Sequence, residues 1–156
     1  MLKHAAFAVA ILAAGPASAL SCLRPEVSSS YDRAHERPEI FVVAVGRLEQ
    51  NGAINRERPA PAEGQPLELP PYQFPARFEG QLASSAGFVT DRSFDVTVEV
   101  DCISVWCGGE SLSERGLYFF RSNEDGTYAL ESDPCGGFFF DNPDDGQLRE
   151  VIRRMR

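Results

Sequence analysis

Cys22, Cys102, Cys107 and Cys135 are the side chains in this sequence best equipped to do chemistry, and two of them share the stretch DCISVWCGGE, residues 101–110. Three chemistries compete for them. A structural zinc site wants close Cys/His pairs such as C-x2-C and a second pair to complete a tetrahedron. Here the spacing is C-x4-C, and after residue 19 the only histidine is His35. Thioredoxin-like redox chemistry also uses C-x2-C, at a helix N-terminus. In an oxidising compartment an even cysteine count reads first as disulfides, and four cysteines allow three pairings. The expectation is two disulfides, with no metal and no cofactor.

The compartment is read from the start of the chain. Met1 to Ala19, MLKHAAFAVAILAAGPASA, combines a short positive region at Lys3, an apolar stretch from Ala5 to Ala14 and the small-x-small site Ala17-Ser18-Ala19. That apolar stretch is too short to span a bilayer. Residues 1–19 therefore read as a secretory signal peptide. Cleavage after Ser21 also satisfies a small-x-small rule and would leave Cys22 first. A lipoprotein site would want a large aliphatic residue three places before Cys22, where Ala19 stands. Residues 20–156 are expected to form a single periplasmic or secreted domain, with no membrane insertion once the signal is removed.

Lys3 is the only lysine, so residues 20–156 carry 14 arginines against 23 acidic residues. This excess of negative charge argues against nucleic acid or an anionic membrane as partner.

The elements that must position the cysteines follow from pattern. Ser28-Ser29-Ser30 before YDRAHE predicts a short serine-capped helix, ended at Arg37-Pro38. EIFVVAVGRLE, residues 39–49, is a buried strand by its β-branched content. Residues 50–75 hold six prolines and predict a long surface loop, mobile or functional by its length. Further strands are expected at 76–83, at 93–102, where Phe94, Val96, Val98 and Val100 alternate with polar residues, at 116–122 and at 127–132. Asn123-Glu124-Asp125-Gly126 is the turn joining the last two. GGFFF, 136–140, adds a short aromatic segment. A terminal helix is expected with Asn142 as cap and Pro143 first, carrying Leu148, Val151, Ile152 and Met155 on one face. The fold class is mainly β: a five-stranded Greek-key barrel of the OB type, with a short N-terminal helix and an amphipathic C-terminal helix.

This order of elements is similar to the netrin-like domain, the fold of tissue inhibitors of metalloproteinases and their bacterial secreted relatives. The residues carrying the resemblance are Cys22, the short helix, IFVVAVGRLE, WCGG at 106–109, GLYFF, DGTYALESDPC and the terminal helix. The resemblance covers most of residues 20–156 and implies an extracytoplasmic binding module. It also implies the pairing Cys102–Cys107 and Cys22–Cys135, because Cys102 stands where such domains bond a second N-terminal cysteine that this chain lacks. The short bridge would then pin a strand end to the turn after it, and the long one would tie the N-terminus to a late strand. Inhibitors of this family chelate the catalytic zinc through the free amine and carbonyl of a first-residue cysteine. Here that role would require Cys22 at the amino terminus.

The catalytic patterns in the sequence are incomplete. Gly109-Glu110-Ser111-Leu112-Ser113 lacks the last glycine of a G-x-S-x-G elbow. His35 stands alone in a helix and reads as a surface residue. Asp141, Asp144 and Asp145 fail the calcium-loop pattern, with Pro143 and Ile152 at ligand positions, and suit capping of the last helix. Glu110 and Glu114 read as a solvated turn. Phe94, Trp106, Tyr118 to Phe120 and Phe138 to Phe140 crowd the second half. Three consecutive aromatics on a pleated strand cannot all face one side, so some must meet a helix, the long loop or a partner. The function expected is an exported, disulfide-stabilised, non-catalytic binding module for an unknown protein or envelope component. The alternatives are a metalloproteinase inhibitor acting through Cys22 and an envelope enzyme.

Overall fold

The β-branched run after Pro38 forms β1, Ile40–Gln50, and the strands that follow wrap around it. The structure is a computed structural model describing residues 21–60 and 63–156; the expected signal peptide lies outside the described residues. In chain order come α1 (Val27–His35), β1, β2 (Tyr72–Ser84), β3 (Gly87–Val100), β4 (Cys102–Ile103), β5 (Trp106–Cys107), β6 (Ser113–Ser122), β7 (Tyr128–Ser132), β8 (Phe139–Asp141) and α2 (Asp145–Arg154). The protein is mainly β, with a short helix near each end.

β1 pairs antiparallel with β2, and β2 with β3. β3 runs parallel to β7 from Val96 opposite Tyr128 to Val100 opposite Ser132. β7 pairs with β6, and β6 returns to β1, with Val43 opposite Phe119. β8 adds to the outer side of β6.

The strand count departs from the five expected. The cysteine stretch is a separate hairpin, β4–β5, and GGFFF contributes β8. β2 and β3 are also longer than expected, because a tight turn at 85–86 joins them directly, with Gly87 in the left-handed region at φ 121°. β2 begins inside the proline-rich stretch. Pro75 is tolerated there because β1 ends at Gln50: its carbonyl accepts the Asn51 N–H at 2.9 Å, and its missing N–H interrupts no ladder on that side.

Both helix starts also differ. α1 is capped by Glu26 in a box with Ser29, so the serines lie inside the helix. α2 is capped by Asp144, whose side chain accepts the Gln147 N–H at 2.9 Å. Asn142 lies before the helix in the left-handed region, at φ 45°. An acid at this position complements the positive end of the helix better than an amide does.

On one face of the sheet the rings of Phe78, Phe94, Tyr118 and Phe120 pack together, with Phe78 at 5.0 Å from Phe94 and 5.0 Å from Phe120. A row of glycines lets the strands approach there: Gly46 lies opposite Gly80 in β2 and Gly116 in β6. A Cβ on Gly46 would sit 2.3 Å from the Glu79 carbonyl oxygen, and one on Gly116 would strike the Tyr118 ring. Tyr118 is pressed over that gap with its hydroxyl buried and unpartnered. Burial, and after it the charge of Asp141, pushes its phenol pKa up.

Phe119 points to the opposite face. There it meets Phe138 at 6.1 Å and Phe140 at 6.3 Å, while α1 and α2 pack beside them. The aromatic triplet therefore offers no partner surface. Tyr118, Phe119 and Phe120 are all fully buried, because β6 is covered on both faces.

Candidate functional site

Six large apolar side chains stand out as exposed among the described residues, and four of them flank the disulfides: Leu23, Ile103, Val105 and Trp106. The bonds are Cys22–Cys135 and Cys102–Cys107. The second closes a ring too small to bury its own contents. Cys102 pairs with Cys107 and Ile103 with Trp106, leaving Ser104 and Val105 as the turn. Ile103 is 55% exposed, Val105 45% and Trp106 52%.

This tip is held from behind. Ser104 adopts φ 56°, its carbonyl accepts the Leu69 N–H at 2.8 Å, and its hydroxyl donates to the Leu67 carbonyl at 3.4 Å. The long loop thus packs its last turn on the hairpin. At the base, Gly108 N–H donates to the Asp101 carbonyl at 2.9 Å, and Asp101 N–H to the Ser132 carbonyl at 3.0 Å. A Cβ on Gly108 would lie 2.0 Å from the Ser132 carbonyl oxygen, so only glycine permits that contact. Cys135 follows three residues after β7 ends at Ser132, which brings the second disulfide to the same end of the sheet.

Ile103 and Val105 were not singled out by sequence, where apolar residues default to the core. The signal that finds them is ring size: four residues closed by C-x4-C cannot cover one another.

The other candidates fall elsewhere. His35 is exposed near the end of α1, its ring stacked on Tyr31 at 6.4 Å. The Ser111 hydroxyl donates to Ser132 at 3.2 Å, and Ser132 to the Gly109 carbonyl at 2.6 Å, so this chain of bonds ends on backbone. Glu110 is exposed, and Glu114 lies 3.7 Å from Arg47. Asp141 accepts the Ser113 hydroxyl at 2.6 Å. Among the described residues no three His, Cys, Asp or Glu side chains gather as metal ligands would, and no helix is long and apolar enough to cross a membrane.

A second polar assembly lies on the outer face. Arg37 is gripped by Glu39 (2.8 Å) and Glu131 (2.6 Å), while Arg121 shares Glu131 (2.8 Å) and takes Glu99 (2.9 Å). The hydrogen bonds from Arg37 hold the Glu39 carboxyl down at about 2, against an ordinary value of 4.5. A carboxylate with a depressed folded pKa stabilises fully above its unfolded pKa, and that contribution fades as pH falls through the folded one. Stability conferred by Glu39 is therefore complete above about pH 4.5 and lost towards pH 2. Glu39→Gln is expected to flatten that part of the acid-unfolding curve, followed by circular dichroism. A curve as steep as wild type would count against the pair.

Compared with protein-family models, curated proteins and solved structures, the chain gives no match.

Proposed function

We propose that this chain is an exported, disulfide-stabilised, non-catalytic binding module that grips a protein or envelope partner with the Cys102–Cys107 hairpin. Its frame is read as a five-stranded OB-type barrel of netrin-like kind. The return of β6 to β1 supports closure, with β4, β5 and β8 as additions. The observation that carries the function is the exposed Ile103, Val105 and Trp106 on a tip braced by a disulfide and by Leu67 and Leu69. Interface hot spots favour tryptophan, and a preorganised loop loses less entropy on binding. The two disulfides fit a periplasmic or secreted location.

The test is quantitative capture from envelope and culture-fluid fractions. Trp106→Ala and Ile103→Ser are expected to lower recovery of a specific partner about thirtyfold, as loss of a 2 kcal/mol hot spot would, with Tm unchanged. Equal recovery by wild type and both variants would end this reading.

The inhibitor alternative draws on the exposed Cys22-Leu23 segment, Leu23 being 93% exposed. It requires a mature chain that begins at Cys22 and inhibits metalloproteinases in a panel assay.

A further inference from the structure

An endopeptidase of the trypsin class reads an arginine or lysine through an acidic pocket and cuts the bond that follows. It needs that stretch of chain extended and exposed, so nicking concentrates in loops rather than in helices or strands. A proline after the basic residue blocks the cut, because its ring fixes the backbone and its nitrogen carries no N–H. The basic residues of this chain are unevenly protected. Lys3 is the only lysine and lies outside the described residues. Arg24, Arg37 and Arg58 are followed by Pro25, Pro38 and Pro59. The other arginines lie inside helices or strands, apart from Arg156 at the end of the sequence and Arg56. In the last turn of α2, Arg153 and Arg154 are both held by Glu150.

Arg56 stands in the long loop between β1 and β2. From Ala53 to Ala60 there is no helix or strand and, among the described residues, no backbone–backbone hydrogen bond. All of these residues are exposed except Ile54, which packs partly on the core. The Arg56 guanidinium lies over the Tyr72 ring, 5.0 Å from its centroid. A protease must lift Ile54 and Arg56 from the surface, but it breaks no strand pairing to do so. Cutting after Arg56 separates α1 and β1 from everything that follows, yet both pieces stay joined. Cys22 is bonded to Cys135, and β1 is paired on one edge with β2 and on the other with β6. Leu67 and Leu69 remain on the same piece as the hairpin they brace.

We propose that Arg56–Glu57 is a processing site for trypsin-class endopeptidases, which convert the protein into a disulfide-linked two-chain form with its fold intact. Water adds across the amide, its hydroxyl to the Arg56 carbonyl carbon and its proton to the Glu57 nitrogen, as the C–N bond breaks. The step is independent of what the cysteine hairpin binds.

The test is limited digestion of the full oxidised protein with trypsin, followed by intact mass and far-ultraviolet circular dichroism. A single internal cut is expected. The product should be heavier by one water, keep the β spectrum of the uncut protein, and separate only on reduction into a piece ending at Arg56 and a piece beginning at Glu57. Arg56→Gln, an exposed loop change that leaves the fold alone, should stay uncut for as long as wild type takes to convert fully. A first internal cut elsewhere, or cleavage of Arg56→Gln as fast as wild type, overturns the proposal. So does a wild-type chain that resists trypsin while its reduced, unfolded form is digested, or a nicked protein that loses its β spectrum before reduction.

Discussion

Replacing Cys22 and Cys135 together by serine is expected to lower the unfolding free energy by about 5 kcal/mol, the chain-entropy value for so long a loop. The bond spans a sequence separation of 113 residues, whereas Cys102–Cys107 spans 5. The same relation gives about 2 kcal/mol for the short loop. The two contribute through the same mechanism, since each mainly restricts the unfolded chain. Cys22 itself is exposed, so its removal costs little packing. Urea unfolding of the two double variants checks the difference: a large drop in midpoint for the long bridge, a small one for the short bridge. If both drops are small, the entropy account fails for this chain. The short bridge would still matter to binding, because it shapes the tip rather than holding the fold.

Phe78→Ala should cost about 4 kcal/mol, in the range for emptying a large aromatic site in a core. The residue is fully buried and touches three other rings: Phe94, Phe120 and, edge-on at 5.8 Å, Tyr118. Its ring also lies against Gly80, where an added Cβ would come within 2.8 Å. Gly46 and Gly80 already bring their backbones as close as they can come, so the strands cannot collapse into the space left behind. Phe78→Leu, which keeps part of the volume, should cost under half as much. Chemical denaturation measures both, and near-ultraviolet circular dichroism should report loosening of the ring cluster in the alanine variant. A cost near 1 kcal/mol for Phe78→Ala would mean that the surrounding wall relaxes.

Alternation made β3 legible, because Val96, Val98 and Val100 are buried while Asp95 faces water. The apolar stripe of α2 was legible for the same reason, with Val151 at its centre. Tertiary effects hid the rest. Pro75 disguised the start of β2, since nothing local says that β1 has already ended beside it. The serines at 28–30 outrank glutamate as caps by propensity, yet the chain entering α1 places Glu26 at that position. Periodicity says that Tyr118 and Phe119 face opposite sides, but it cannot say that α1, α2 and β8 cover the outer one. At the candidate site the cysteines were legible from count and spacing. The exposure of Ile103, Val105 and Trp106 was legible only through the small size of the C-x4-C ring, because exposure otherwise depends on what stands opposite, and among the described residues they stay uncovered.

β1 has consequences for the order of folding. It comes early in the chain, yet one of its two hydrogen-bonding edges is satisfied only when β6 arrives. Until then, a nascent chain holding β1 to β3 presents a bare edge rich in valine, which can pair with a neighbouring chain as readily as with its own. Completion also waits on contacts between distant segments, a topology that folds slowly. The late half of the sequence therefore acts as a guard on the early half: a chain stopped short of Phe119 exposes the strand that the complete protein hides.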